Sequence, residues 1–168
     1  MSLLPLSGRA RVFGDDINTD YIISSSRKKE SIDAMVLRRF LLEQVDPGFA
    51  CSVQPGDIIV AGANFGCGSA MEVAVTTVLG AGIRAVIARS FSRTYWRNAM
   101  NNGLLAIAAD TSRIAEGDAL QLHGAAGGII LRAGVAPPVR CEPVPPFMRE
   151  MIEAGGLVPY LRERGRFA

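Results

Sequence analysis

Gly62-Ala-Asn-Phe-Gly-Cys-Gly-Ser-Ala-Met-Glu-Val-Ala74 sets a lone serine, Ser69, between a glycine-rich turn and a segment of helical character. The residues before it, Asp57-Ile-Ile-Val-Ala61, read as a short buried strand, and Glu72 to Leu79 after it are helix-compatible. Ser69 is therefore expected near a helix N-terminus, where backbone N–H groups lack intrahelical partners and the helix dipole favours negative charge. Such a turn can hold a carboxylate, a phosphate or a developing oxyanion. The plainer reading is a tight strand-to-helix turn whose glycines supply positive φ and close packing.

Spacing removes several chemistries. A P-loop needs Gly-Lys-Ser/Thr, and no lysine follows Lys29. The dinucleotide-binding fingerprint needs a third glycine where Met71 stands, so only Gly66 and Gly68 match. A serine-hydrolase elbow needs glycines two residues either side of the serine, and Cys67 and Met71 occupy those places. The one histidine, His123, lies beside Gly124 in a glycine-containing segment and reads as a surface or turn residue.

Composition narrows the class further. A chain of 168 residues, 49% hydrophobic and 20% charged, fits one globular domain over residues 1–168 with a substantial core. A formal charge of +2, with Arg162, Arg164 and Arg166 near the end but no long basic run, argues against nucleic acid as a partner. Cys51, Cys67 and Cys141 are widely spaced, with no Cys-x-x-Cys, and with a single histidine they make neither a usual zinc site nor an iron–sulfur site; the chain is expected to bind no metal itself. Their usage suits a reducing cytoplasm. No secretory segment or 18-residue apolar run occurs, so no membrane partner is expected.

Outward from the serine turn, Ala10-Arg-Val-Phe13 reads as a strand leading into the polar turn Gly14–Asp20. Ser24-Ser-Ser-Arg-Lys-Lys-Glu30 reads as a loop, and Asp33 to Val45 as an amphipathic helix closed by Pro47-Gly48. Beyond the serine helix, Ile83–Ala88 is a buried strand, Ser90–Met100 a helix ending at Asn101-Asn-Gly103, and Leu104–Ala108 another strand. This β–α–β–α–β alternation predicts an α/β core of parallel strands flanked by helices. A hairpin over Ala119–Leu131, a proline-rich crossing and a last helix from about Phe147 to Ala154 complete the pattern.

Four stretches in matching order, Gly14-Asp-Asp-Ile-Asn-Thr-Asp-Tyr-Ile-Ile23, Asn64-Phe-Gly-Cys-Gly-Ser69, Gly82–Arg93 and Arg97–Leu105, resemble the small subunit of 3-isopropylmalate dehydratase, as does the ending Ile152–Val158. That family is the swivelling domain of the aconitase superfamily, and the resemblance covers nearly the whole chain. It implies an aconitase-like swivelling β/β/α fold. It also implies a separate large subunit, in a heterodimer or heterotetramer, that carries a 4Fe–4S cluster and is closed over by this chain. The implied reaction is dehydration and rehydration of a hydroxy-dicarboxylic acid, of the 3-isopropylmalate or 2-alkylmalate type. Ser69 occupies the family's base position and Asp20 its acidic residue at the domain interface, a catalytic role that helps position the acid side of the site, for which an Asx turn capping a loop is the alternative reading. Asn64, Gly68, Ala70 and Met71 occupy the substrate-facing turn.

The departures bear on substrate. Family members usually read Gly-Ser-Ser-Arg-Glu-His-Ala where this chain reads Gly68-Ser-Ala-Met-Glu-Val-Ala74, so a hydroxyl is replaced by Ala70 and a carboxylate-binding arginine by Met71. Charge-assisted hydrogen bonds of that kind contribute about 1.5–3 kcal/mol each. Arg27, Lys28 and Lys29, in the family's substrate-recognition loop, are the replacement cations expected, with a solvated loop as the alternative. A more apolar contact near Met71 and an alkylated malate such as a methyl- or dimethylmalate follow as expectations.

Overall fold

The computed structural model describes residues 2–125, 128–134 and 136–165. Arg166 and residues 126–127 of the expected hairpin lie outside them.

Seven strands form one sheet in the order β4-β3-β2-β1-β5-β6-β7. They are β1 (Leu6–Val12), β2 (Ile58–Ala61), β3 (Ala85–Ala88), β4 (Leu105–Ala108), β5 (Ala119–Ala125), β6 (Gly128–Ala133) and β7 (Val139–Arg140). β1 to β4 are mutually parallel, and β5 to β7 add antiparallel neighbours on the other side of β1. β2 and β3 are buried along their whole length, as the unbroken apolar runs Ile58-Ile-Val-Ala61 and Ala85-Val-Ile-Ala88 require of strands covered on both faces.

Helices α5 (Val73–Gly80) and α6 (Arg93–Asn101) make the crossovers from β2 to β3 and from β3 to β4. α6 begins at Ser92, whose hydroxyl accepts the Tyr95 N–H, and so delivers Tyr95 into the core. The Phe65 ring meets Tyr95 and Phe91 edge-on, with centroids 5.2 and 6.0 Å away. At the start of β2, the end away from the serine turn, Asp57 is buried and takes hydrogen bonds from Arg9 (2.7 Å) and from buried Arg11 (3.4 Å).

Three sequence expectations need correction. Ser24–Glu30 is not a loop: Ser25–Glu30 is a short helix, α2, preceded by the still shorter α1 (Thr19–Ile22). The Ser24 hydroxyl accepts the Ser26 N–H, and Arg27, Lys28 and Lys29 sit in the last turn where the dipole favours cations, so a polar run became helical through its ends. The single helix expected over Asp33–Val45 is instead α3 (Ala34–Leu37) and a 3-10 turn, Arg38–Phe40. It stops because Leu42 takes φ +57° and donates its N–H to the Ile22 carbonyl, burying Leu41 and Leu42. A further short helix, α4 (Phe49–Ser52), buries Phe49. At the end of the chain, α7 (Pro146–Glu153) matches expectation, but Gly155 and Gly156, at φ +95° and +119°, turn the chain into an additional helix, α8 (Leu157–Arg164). Pro159 falls in its first turn, where no N–H is needed.

Candidate active site

The turns that follow β1, β2 and β3 converge at the carboxyl ends of the parallel strands, the region where open α/β sheets bind ligands. Beyond the end of β1 and β2 the two chains continue as a parallel pair. Asp16 N–H donates to Ala63 O (2.9 Å), Gly66 N–H to Ile17 O (2.8 Å) and Thr19 N–H to Cys67 O (2.8 Å). The Thr19 hydroxyl then donates to the Ser69 carbonyl at 2.8 Å. On the other side, Phe65 N–H donates to Ser90 O, Ser92 N–H to Phe65 O, and the Ser92 hydroxyl to Gly66 O. The serine turn is thus laced to both neighbours by its main chain.

Glycine is required at two of its positions. Gly66 has φ +78° and packs against the Tyr95 ring so closely that a Cβ would overlap it. Gly68 has φ +96°, and a Cβ there would lie 2.5 Å from Asn18 Oδ1. Asn64, at φ +60°, is the residue type after glycine that best tolerates this region, and its side-chain amide donates to Asp16 Oδ1 at 2.9 Å.

Gly68, Ser69 and Ala70 are exposed, and the serine precedes the N-cap residue of α5, Glu72, by three positions. Ser69 is fixed through its carbonyl, which leaves its hydroxyl as the group presented at the surface. Met71 does not face the same way. It is 5% exposed and packs in the apolar core, so the apolar contact expected from it near the substrate is absent.

Asp20 stands in the first turn of α1, with Asn18 capping that helix by accepting the Asp20 N–H at 2.9 Å. The expected Asx turn is therefore made by Asn18, two residues earlier. Asp20 Oδ1 accepts both the Ser25 hydroxyl and the Ser25 N–H, and these bonds hold its carboxyl below the ordinary carboxylate range. Arg27 is committed: its Nε donates to Glu43 at 3.0 Å, Glu30 lies 3.6 Å from it, and its guanidinium rests 3.8 Å from the Phe40 ring centroid. Lys28 and Lys29 are exposed.

Several residues of the constellation lie in the stretches that carry the resemblance but were not expected to meet. Asp15 accepts the Ala63 N–H and an Arg89 N–H, both at 2.7 Å, and these bonds, the Ala63 one foremost, lower its carboxyl below the usual range. Ser90 accepts the Asn64 N–H at 2.8 Å. Arg89 and Ser90 also line a depression of about 280 Å³ bounded by Arg93, Trp96 and Glu142. Gly62 belongs to the same arrangement, since a side chain there would overlap Asp15.

Among the described residues no group of three or more His, Cys, Asp or Glu side chains is arranged to hold a metal ion. Cys51 is exposed, Cys67 half-buried and Cys141 buried. No helix among those residues is long and apolar enough to cross a membrane.

Residues 25–112 match the family model of the aconitase C-terminal domain. Over 160 residues the chain is 42% identical to the 3-isopropylmalate dehydratase small subunit of Nitratidesulfovibrio vulgaris strain DP4, covering 94% of this chain and 95% of that protein. It is 41% identical over 159 residues to the methanogen homoaconitase small subunit of Methanocaldococcus jannaschii, covering 95% and 92%. A crystal structure of 3-isopropylmalate dehydratase from Methanocaldococcus jannaschii superposes with a TM-score of 0.87 at 39% identity, over 96% of each chain. Sheet order, the serine turn at the strand ends and these full-length similarities agree, and the chain belongs to the 3-isopropylmalate dehydratase small-subunit family, with the aconitase C-terminal domain fold.

Proposed function

We propose that this chain is the small subunit of a heteromeric hydro-lyase that dehydrates or isomerises a hydroxy-dicarboxylic acid, with Ser69 as the base. The observation that carries the reading is the Ser69 turn itself, an exposed hydroxyl on a main chain pinned by Thr19 at the strand ends. The partner is a large subunit holding a 4Fe–4S cluster, in a heterodimer or heterotetramer, within the reducing cytoplasm that three free cysteines suit. That cluster, when bound by the partner, supplies a Lewis acid for the departing hydroxide.

This chain's own residues account for the proton. Removal of a C–H proton beside a carboxylate needs a strong base, and a serine alkoxide is too basic to persist unaided in neutral water. The positive end of α5, three residues beyond Ser69, lowers the cost of that negative charge. Of the three cations of α2, Arg27 is bound to Glu43 while Lys28 and Lys29 are exposed, and these two are assigned to the substrate's carboxylates. The replacement of the family's arginine and second serine supports a substrate other than 3-isopropylmalate, an alkylated malate such as a methyl- or dimethylmalate.

Anaerobic co-expression with the iron–sulfur large subunit from the same source, followed by absorbance of the alkene product across a panel of hydroxy di- and tricarboxylates, tests the reading. Turnover of one acid, lost in Ser69→Ala, is expected. A stable complex with unchanged turnover in Ser69→Ala would instead mark the chain as a binding subunit.

A further inference from the structure

We infer that Asp20 is a positioning residue: by accepting both Ser25 donors it clasps α2 to α1 and so sets where Lys28 and Lys29 stand. The inference rests on the reading of α2 as the element that meets substrate.

Two neighbouring side chains of α1 point to two different structures. Thr19 holds the Ser69 carbonyl, and Asp20 holds Ser25, the first residue of α2, at 2.7 Å to its N–H and 2.5 Å to its hydroxyl. α1 is itself fixed, since Asn18 caps it and also bridges to Cys67 of the serine turn. One short helix therefore couples the base-bearing turn to the cation-bearing helix.

The clasp replaces what α2 lacks. A six-residue helix is too short to persist on its own hydrogen bonds, and no residue of α2 is buried. Its first two N–H groups are taken by Asp20 and by Ser24. Its middle is held by Arg27, between Glu43 and the face of Phe40. Lys28 and Lys29 follow directly, so their positions depend on both anchors. The bonding also argues against proton exchange at Asp20. Oδ1 receives two donors, which is how an ionised carboxylate is held.

Asp20→Asn keeps a side-chain carbonyl oxygen able to accept both Ser25 bonds, Asp20→Ala removes both, and Ser25→Ala removes the hydroxyl bond while keeping the main-chain one. In the assembled enzyme we expect Asp20→Ala to raise KM about tenfold with kcat within about threefold of the parent, Ser25→Ala to raise KM by about threefold, their double variant to be no worse than Asp20→Ala, and Asp20→Asn to restore KM. Loss of kcat in Asp20→Asn equal to that in Asp20→Ala, with KM unmoved, would overturn the inference. A second readout needs no turnover: trypsin acting on the full-length chain cuts after Arg27, Lys28 and Lys29 only when α2 opens. Cleavage there should quicken about tenfold in Asp20→Ala and less than twofold in Asp20→Asn. Equal rates in all three proteins would overturn the clasp even if the enzyme is active. Absence of turnover alongside the expected trypsin pattern would strike the proposed reaction and leave the clasp standing.

Discussion

Thr19 and Ser69, fifty residues apart in the chain, meet through a 2.8 Å hydrogen bond from the threonine hydroxyl to the serine carbonyl. The bond uses the serine's main chain, and the residue itself is exposed, so what holds the turn is separate from what the turn presents.

Ser69→Ala should consequently behave as a clean functional lesion. Loss of the proposed base is expected to lower kcat of the assembled enzyme about 10²–10⁴-fold, while the subunit's unfolding free energy changes by less than about 0.5 kcal/mol. Steady-state assays beside a melting curve check both halves.

The two glycines of the turn should rank in cost. Gly66→Ala drives a methyl into the buried Tyr95 ring at positive φ and is expected to cost about 2–4 kcal/mol. Gly68→Ala meets the end of the Asn18 side chain, which can yield, and should cost about 1–2 kcal/mol. Urea denaturation of the two variants gives the order directly.

Restoring the family's arginine should not restore the family's substrate. Met71→Arg places a guanidinium where a 5% exposed side chain now packs, and a loss of about 3 kcal/mol or more of stability is expected, without gain of turnover on 3-isopropylmalate. A urea titration and an assay with that acid would show it.

Asp57 links stability to acidity. Burial pushes its carboxyl up, but the hydrogen bonds from Arg9, the Gln54 N–H and Arg11, with the Arg9 charge, outweigh it and hold the group below its ordinary value. A folded pKa below the unfolded one means stabilisation present above about pH 4 and lost as pH falls through the folded value. Asp57→Asn should cost about 3 kcal/mol at pH 7, the lower end for a broken buried pair because Arg11 retains Glu116 and the Ser52 hydroxyl. The gap from the parent should narrow as pH falls below about 4 in urea melts.

Cysteine reactivity should divide by burial. Cys141 is buried with its thiol pushed up to about 11 by desolvation, so at pH 8 iodoacetamide should label exposed Cys51 first and Cys141 only after unfolding. Mass spectrometry of timed samples resolves the two.

The parallel core was readable because its signals are local: apolar runs of four to six residues, a serine cap at the start of α6, Asn101-Asn-Gly103 at its end. The first half of the site was harder. Ser24–Glu30 has the composition of a loop and becomes a helix through Asp20, Ser24 and Glu43, none of which announces its partner in sequence. Leu42 looked like one more apolar position of an amphipathic helix, yet its bond to Ile22 ends that helix. The direction of Met71 was equally invisible, since a methionine between Ala70 and Glu72 serves a pocket or a core with the same residue type. Ser69 was legible by resemblance, whereas the Asp15–Arg89 pair, spanning residues 74 apart, required the fold.

The pairing of the β1 and β2 extensions also governs when a nascent chain acquires its chemistry. The turn at Gly14–Asp20 and the turn at Gly62–Ser69 belong to strands joined by some forty-five residues of intervening chain, much of it in helices of four to six residues that have little independent persistence. Closing that loop is a late, entropically costly event, so contacts such as Asn18–Cys67 form with the parallel sheet rather than before it. A chain with β1 undocked would lack the Thr19–Ser69 bond and the turn it holds, so the serine turn is complete only once the sheet has closed.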